Sequence, residues 1–222
     1  MKPTWTMLAA AAAVALLGTP LQVQATSIAI SNASFENPDT PGSASYGSVD
    51  DWTILPGTGG VWDISSDLGG CPGTCWNSGA PDGDQIGWLA VGPANQGNSS
   101  SMSQVLSAVL LANQSYTLTG YVGHPINFQA GTLYTVELFA GSTVLASLTG
   151  TGPEGSFEPF SLSYLSGTGP EVGQALQIRL SSNQAQTGFD KIALSVPDGG
   201  MTLTLLGGAL VALGALRRKL KP

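Results

Sequence analysis

A period-two alternation of apolar and polar residues is the feature of this sequence that most constrains its fold. It recurs in 116–122, 134–139, 176–180 and 192–196, where nearly every second residue is Leu, Ile, Val or Tyr. Successive side chains of a β-strand point to opposite faces, so this pattern predicts half-buried strands. Turn residues such as those of 150–153 separate them.

The same reasoning places the strands and the fold class. Strands are predicted near 27–31, 51–55, 60–64, 85–91, 102–107, 115–123, 132–140, 143–149, 157–165, 174–182 and 187–195. Many short antiparallel strands with glycine-rich turns favour an all-β fold, a jelly-roll β-sandwich. Gly141-Ser142 predicts a hairpin turn. The pattern fails between 66 and 84, which predicts a long loop of the kind that often carries function.

The distribution of charge excludes one class of partner. The chain has 222 residues, with 14 Asp and Glu against 7 Lys and Arg, and only 9% are charged. All the acids lie between residues 36 and 198, where the only basic residues are Arg179 and Lys191, which leaves a net charge of −12. Nucleic-acid binding needs clustered Lys and Arg, so no nucleic-acid partner is expected.

Residues 1–25 have the three parts of a secretory signal peptide. Lys2 supplies the positive charge, 7–17 is an apolar helical run, and Val23-Gln24-Ala25 is a small-residue cleavage site. The apolar run is too short to cross a hydrocarbon core of ~30 Å. We therefore expect signal peptidase to cut after Ala25 and the remaining chain to be exported.

Residues 200–216 predict a single C-terminal transmembrane helix. Met201 to Leu216 contain no charged residue and are apolar all round. The basic tail 217–222 follows at once, and the positive-inside rule keeps it in the cytoplasm with the preceding domain outside. The precursor is therefore expected to be anchored in the inner membrane.

A short motif, Val196-Pro197-Asp198-Gly199-Gly200, precedes that helix, and Arg217, Arg218 and Lys219 follow it. Together these parts resemble the PEP-CTERM sorting signals, in the variant called VPDSG-CTERM, with Gly199 in place of serine. The resemblance implies cleavage by an exosortase, a membrane transpeptidase, and delivery to the cell surface or extracellular matrix of a Gram-negative-type bacterium. Residues 196–222 are then the sorting signal, and 26–195 the extracellular domain.

Two further segments lie at the ends of that domain. Asn32-Ala33-Ser34-Phe35-Glu36, followed by Trp52, opens it, and Phe189-Asp190-Lys191-Ile192-Ala193-Leu194 closes it. Both resemble galactose-binding-like jelly rolls, as in many carbohydrate-binding modules. In such modules a structural Ca²⁺ often ties these regions together, which makes Glu36 and Asp190 candidate calcium ligands. The alternative is that Glu36 hydrogen-bonds a turn and Asp190 caps a bulge.

Cys71 and Cys75 are the only cysteines. In an exported chain an even count predicts a disulfide, and the intervening Pro-Gly-Thr allows the tight return that it requires. A redox-active pair is the alternative, but it needs a lowered thiol pKa and usually a Cys-x-x-Cys spacing. A structural bridge is favoured.

Catalytic patterns are weak. The single histidine, His124, has no nearby Gly-x-Ser-x-Gly elbow, and one histidine makes a zinc site improbable. The acid pairs Asp50-Asp51 and Asp82-Gly83-Asp84 are typical of solvated turns. We therefore expect a domain with no catalysis of its own.

Four tryptophans fall in the first half of this domain: Trp52, Trp62, Trp76 and Trp88. Three lie in strand patterns and are expected in the core, whereas Trp76 lies in the irregular loop, where an exposed ring and a core position are both open. Exposed, it would stack on a sugar with Asn77, Asp82, Asp84 and Gln85 nearby. Two functions follow: a module that binds extracellular polysaccharide, or a structural surface protein without a small ligand.

Overall fold

Eleven β-strands form two sheets in the computed structural model, which describes residues 25–55, 57–65, 75–91, 99–126, 133–183 and 186–197. The strands are β1 (Ala25–Ile28), β2 (Thr53–Ile54), β3 (Thr58–Asp63), β4 (Gln85–Ala90), β5 (Ser100–Val109), β6 (Ser115–Gly123), β7 (Leu133–Ala140), β8 (Thr143–Thr151), β9 (Glu158–Leu165), β10 (Ala175–Ser182) and β11 (Gln186–Pro197). One sheet has the order β3-β4-β11-β6-β9, with β1 paired to β11, and the other has the order β2-β5-β10-β7-β8.

The all-β sandwich predicted from the alternation is confirmed. The paired strands run antiparallel, and the hairpin turn lies at Gly141-Ser142, between β7 and β8. The first two strands are shorter than predicted. β1 ends before Ser31, whose N–H instead donates to the Gln104 side chain, and β2 begins only after Asp51, whose backbone φ is 67°.

The main core lies between the two sheets. On β10, Leu176, Ile178 and Leu180 are fully buried, while Gln177 and Arg179 alternate with them on the other face. Leu118 of β6 and Phe189 of β11 belong to the same core, and Leu138 of β7 does too. Each such buried side chain contributes about 1.5–3 kcal/mol through its removal from water.

The Asn32–Glu36 motif forms a corner that closes one end of this core. The Asn32 side chain donates to the backbone oxygens of Asn37 and Asp50, and its own backbone oxygen accepts from the Trp52 indole. Phe35 is fully buried against Trp52, with ring centroids 5.3 Å apart. The motif therefore has a structural role, because the Asn32 hydrogen bonds and the buried Phe35 ring hold this corner together.

The predicted terminal helices and most of the sorting motif lie outside the described residues. Val196 and Pro197 end β11, whereas Asp198, Gly199, Gly200, Arg217, Arg218 and Lys219 are not described. Thr26–Pro197 forms one compact unit. Within the described part of the chain, none of the secondary structure is a helix long and apolar enough to cross a membrane.

Candidate functional site

A second apolar cluster covers the outer face of the six-stranded sheet. Along β3, Val61 belongs to the main core and the next residue, Trp62, belongs to the second cluster; on β4, Leu89 and Trp88 divide in the same way. We call this group the tryptophan cluster; its buried members are Trp62, Ile64, Cys75, Trp76, Ile86 and Trp88, and Phe157 packs against them. The sheet is therefore buried on both faces in this region.

The rings of this cluster contact one another closely. Trp76 stacks on Phe157, with centroids 4.5 Å apart and an angle of 8° between planes. Trp62 meets Trp76 edge to face at 6.0 Å. Tyr46, which is exposed, covers Trp88 edge to face at 5.0 Å. The cluster thus brings together flat aromatic rings, of the kind that line sites for planar ligands, although their faces are buried against one another.

Two polar atoms in this cluster have no hydrogen-bond partner among the described residues. The indole N–H groups of Trp62 and Trp76 are buried, at 3% and 5% exposure of their residues, and find no acceptor in that part of the chain. The Trp88 indole, by contrast, donates to the backbone oxygen of Val61 at 3.2 Å. A buried donor without an acceptor costs about 1–3 kcal/mol, so a native structure that keeps two of them calls for an explanation.

Backbone hydrogen bonds hold Trp76 in place from both sides. The Cys75 oxygen accepts from Ile126 N–H at 2.8 Å, and Asn77 N–H donates to the Gly155 oxygen at 2.6 Å. Gly188 of β11 lies beneath the ring: a Cβ at this position would be 3.1 Å from Trp76 Cη2 and 2.8 Å from Ile86 Cδ1. A side chain at position 188 would therefore force the indole and the end of Ile86 to shift.

Gly188→Ala is expected to displace the Trp76 ring and to lower the free energy of unfolding by about 1–3 kcal/mol, as overpacking of a well-packed site does. Near-ultraviolet circular dichroism and urea unfolding measure the two effects. Gly167→Ala is the matched control, because a Cβ there meets no atom within 4 Å. Equal behaviour of the two variants would contradict this packing.

Four carboxylates lie beside the tryptophan cluster. We call them the acid group: Glu36, Asp82, Asp84 and Asp190. Asp190, on β11, is fully buried. Its Oδ2 accepts from Asp82 N–H at 2.8 Å, and its Oδ1 accepts from Lys191 N–H at 2.6 Å. In the part of the chain that the structure describes, the one ion pair joins Arg179 to Glu137, so the acid group has no paired cation there.

Burial raises the pKa of Asp190 to about 8, and repulsion from the Asp82 and Glu36 charges raises it further. The N–H groups of Asp82 and Lys191 act in the opposite direction and lower this pKa. Burial also raises the pKa of Glu36 above its ordinary value, with Asp84 and Asp82 contributing, although its Oε1 accepts from Gln85 and Asp84 N–H groups. Asp190 is therefore protonated at neutral pH, when it can donate a proton or a hydrogen bond.

Asp190 and Gly188 point to the same face of β11, because they are two residues apart in its regular part. At a rise of ~3.3 Å per residue, the acid lies about 7 Å along the strand from the glycine that contacts Trp76. A protonated carboxyl group thus adjoins an aromatic surface with unpaired donors. Such an arrangement can bind a flat molecule and protonate it.

The residues predicted to bind a ligand divide into three kinds. The Trp76 ring is buried rather than exposed, because the Phe157 ring covers it. Asn77, Asp82 and Asp84 are exposed. The buried Gln85 side chain donates to the Phe35 and Pro38 oxygens and accepts from Thr40, so it serves the fold.

The remaining predicted sites have the following places. Cys75 is buried, but Cys71 lies outside the described residues, so the disulfide stays a prediction. His124 is buried at the end of β6, next to Pro125. No group of three or more His, Cys, Asp or Glu side chains in the described ranges is arranged to hold a metal ion. Calcium at Glu36 and Asp190 also stays a prediction.

Sequence reasoning missed Trp62 and Phe157 as members of a site. Trp62 was expected in the core, and its burial is confirmed, but it faces away from the space between the sheets. A strand with a large apolar residue on both faces, as in Val61-Trp62, was the signal available. The contact between Trp76 and Phe157 joins residues far apart in the sequence, so no local pattern reveals it.

Comparisons with known proteins give two family matches. Residues 26–195 match the model of the HpiC1-like family, described as HpiC1 cyclase. Residues 195–220 match the VPDSG-CTERM motif, which confirms the resemblance drawn from the C-terminal sequence. A search among curated proteins finds no match.

Solved structures of cyclases resemble this chain. The Stig cyclase Fisc from Fischerella sp. TAU, in complex with (3Z)-3-(1-methyl-2-pyrrolidinylidene)-3H-indole, has a TM-score of 0.68 and 27% identity, covering 78% of this chain and 99% of that one. A cyclase from the same organism, in complex with 4-(1H-indol-3-yl)butan-2-one, has a TM-score of 0.67 and 26% identity over 78% and 98%. The carbohydrate-binding module TmCBM61, in complex with β-1,4-galactotriose, gives 0.48 and 14% over 76% and 98%.

These findings correct one expectation. The sequence predicted a domain without catalysis, whereas the family model and the cyclase structures place this fold among cyclases. His124 lacks a hydrolase pattern around it, and the acid pairs of the sequence are typical of solvated turns, so the sequence offers no familiar catalytic signature. A single buried acid beside aromatic rings leaves no such pattern.

Proposed function

This chain belongs to the HpiC1-like cyclase family, and from that premise we propose that its sandwich is a cyclase that binds a small, flat aromatic molecule at the tryptophan cluster. The observation that carries the proposal is the pair of buried indole N–H groups, of Trp62 and Trp76, that have no acceptor within the described ranges. A ligand with a carbonyl oxygen or a ring nitrogen supplies the missing acceptor and recovers the cost of burying these donors.

The ligands of the similar cyclases have this chemistry. Both are indoles; one carries a ketone and the other an unsaturated ring nitrogen in a 3H-indole. Stacking on Trp76 or Phe157 suits such rings, because aromatic pairs at 4.5–7 Å are worth about 0.5–1.5 kcal/mol beyond the area they bury. Because the Trp76 and Phe157 rings stack on each other and Trp76 is buried, a ligand stacks between them only if the two rings separate.

Asp190 is the acid of this proposal. Ring closure onto an electron-rich aromatic system is promoted by a proton donor, and general acid catalysis by a placed side chain contributes about 10²–10⁴-fold to a rate. The burial that raises its pKa keeps the group protonated at neutral pH. When Asp190 gives up this proton, the charge is held by the Asp82 and Lys191 N–H groups.

Nuclear magnetic resonance of ¹⁵N-labelled protein tests the binding site. Addition of 4-(1H-indol-3-yl)butan-2-one is expected to shift the indole N–H resonances of Trp62 and Trp76 downfield, because both donors gain an acceptor. Trp88 is the internal control, since its N–H already donates to Val61. Trp62→Phe and Trp76→Phe assign the two signals. If the two resonances stay in place at saturating ligand, this binding site is wrong.

We propose that the C-terminal motif directs processing of an exported precursor. The match over residues 195–220 supports an exosortase substrate, and Lys2 with the run 7–17 supports a signal peptide. Mass spectrometry of surface-extracted protein should find no peptide that continues intact from β11 through Leu216. Recovery of that peptide would contradict the processing. Pro197→Ala should leave the precursor in the membrane fraction.

Polysaccharide binding and calcium remain separate predictions. Asn77, Asp82 and Asp84 are exposed to solvent and can contact sugar hydroxyls, although Asp82 Oδ2 already accepts from Ser34 Oγ at 2.7 Å; a glycan array tests them. Calcium at Glu36 and Asp190 requires the ionised acid, so its binding must release the proton that Asp190 holds below about pH 8. Calcium affinity is therefore expected to rise with pH up to that value.

A further inference from the structure

Exposed apolar side chains gather toward one end of the sandwich. In the described part of the chain seven large apolar side chains are exposed, and five of them lie toward the same end: Val105, Val109, Leu111, Val144 and Leu165. We call it the leucine end, after Leu111 and Leu165, which are 55% and 73% exposed. An apolar patch of this kind on a protein surface marks a site that contacts another protein or a membrane.

Hydrogen bonds between neighbouring turns hold the leucine end in one shape. The buried Ser166 hydroxyl donates to the Leu111 oxygen at 2.6 Å and accepts from Gln114 N–H at 2.8 Å. Leu110 N–H donates to the Gln174 oxygen at 2.9 Å. The apolar side chains are therefore displayed by turns that the sandwich fixes in place.

The last strand leaves the domain at this same end. β11 pairs with β6, and Ser195 lies opposite Thr117. Two residues further along, Pro197 reaches the level of Ser115, which pairs with Leu165. The proposed membrane helix begins three residues after Pro197, so the connection spans at most ~10 Å. In the anchored precursor the leucine end is thus tethered close to the bilayer.

We propose that the leucine end docks on the lipid bilayer while the precursor is anchored. This inference rests on the proposed C-terminal anchor and goes beyond it, because an anchor alone fixes only the place of Pro197. A bilayer is the occupant because the chain continues into it from this end. A short tether gives an effective concentration in the mM range, so a few apolar side chains are sufficient. In the turns 110–114, 141–142 and 166–174 the one charged residue is Glu171, so docking brings little charge to the lipid.

The tryptophan cluster lies toward the other end of β6. A Cβ at Gly123 would be 3.3 Å from Phe157 Cδ1, and Gly123 is eight residues from Ser115, which corresponds to ~27 Å along the strand. Docking therefore keeps this cluster away from the bilayer and holds the sorting motif at the membrane surface, where a membrane enzyme reaches it. Cleavage removes the tether, and the domain then leaves the bilayer.

Quenching of a fluorescent label by lipid tests the docking. The full-length chain is reconstituted in vesicles of phosphatidylethanolamine and phosphatidylglycerol that contain a lipid with a nitroxide on its acyl chain. A dye on Leu111→Cys or Leu165→Cys should be quenched several-fold more than the same dye on Ser161→Cys. Ser161 is the matched control, because it is exposed on the same face of β9, four residues or ~13 Å from Leu165. The unsubstituted chain gives the background from Cys71 and Cys75.

A new charge at the leucine end separates docking from tethering. With the dye on Leu165→Cys, adding Leu111→Asp should lower the quenching to the level of the Ser161→Cys chain, because docking would bring a carboxylate into the lipid. Adding Ser161→Asp to the same labelled chain should leave the quenching unchanged. Both substituted positions are exposed, so the core stays intact, and both chains keep the tether.

The possible failures of the docking and of the anchor are distinguishable. Equal quenching at the three labelled positions, or quenching that Leu111→Asp does not change, would overturn the docking and leave the anchor in place. A chain that does not float with the vesicles would overturn the anchor and the docking with it. Protection of the dye from aqueous iodide without quenching by the lipid would mean that a protein surface covers the leucine end, which also overturns the proposal.

Discussion

Asp190→Asn is expected to remove a pH dependence that spans most of the range from pH 4 to pH 8. The folded protein keeps a proton on Asp190 up to about pH 8, whereas an unfolded chain releases it near ~3.9. Between these values the folded state binds more protons than the unfolded state, so the free energy of unfolding falls as pH rises. The loss approaches about 6 kcal/mol at most, because each pH unit between the two pKa values contributes ~1.4 kcal/mol.

The asparagine variant cannot lose this proton, so its stability stays nearly level over the same window. Below pH 4 it should be less stable than the parent by about 1–2 kcal/mol, because one of the Asp82 and Lys191 N–H donors then faces an amide NH₂. At ~1.4 kcal/mol per pH unit the parent loses this difference by about pH 5, so the order reverses there and the variant is the more stable protein at higher pH. Chemical unfolding at five pH values measures both curves, and Asp84→Asn, an exposed acid of the same group, is the matched control.

The same titration tests the calcium prediction. If Ca²⁺ binds the ionised Asp190 with Glu36, excess calcium should flatten the curve of the parent above pH 7 and leave Asp190→Asn unaffected. Parent and variant curves of equal slope without calcium would show that Asp190 has no raised pKa. Proton donation by this residue would then be excluded from the proposed mechanism.

Local pattern was sufficient for the fold but not for the site. Leu176, Ile178 and Leu180 alternate with polar residues, and this period of two requires only that one face be buried. The strand bounds followed closely, because glycine and proline turns interrupt the pattern. The predicted strand bounds were wrong at Ser31 and Asp51. The Ser31 N–H donates to the Gln104 side chain, and Asp51 has a left-handed backbone, and neither feature leaves a periodic signal in the sequence.

The site depends on contacts between distant segments. The sequence shows that residue 190 is an aspartate, but its pKa is raised because the fold buries the carboxyl group and brings Asp82 and Glu36 close to it. For Trp76, the sequence left an exposed and a buried ring equally open, and the contact with Phe157 decides between them. The resemblance to carbohydrate-binding modules led to the correct prediction of a β-sandwich and to the wrong prediction of a domain without catalysis. The two outcomes differ because one fold supports several functions.

Phe35→Ala should produce one of the largest losses of stability in the chain, because Phe35 joins the main core to the acid group. Its ring is fully buried beside Trp52, and its neighbour Glu36 accepts from the Asp84 and Gln85 N–H groups. Removal of a buried phenylalanine ring costs about 3–5 kcal/mol. The midpoint of thermal unfolding should fall by roughly 6–20 °C, at ~2–4 °C per kcal/mol for a domain of this size.

The backbone of Phe35 makes a second, sharper prediction. Its φ is 57°, in the left-handed region, where alanine is strained and glycine is not. Phe35→Gly should therefore be at least as stable as Phe35→Ala. At Phe160, a buried residue of strand β9, the order should be reversed, because glycine in a strand adds entropy to the unfolded chain. Urea unfolding of the four variants separates the loss of the ring from the strain of the backbone. If the Gly and Ala variants had the same order of stability at both positions, the Asn32–Glu36 corner would not hold Phe35 in this conformation.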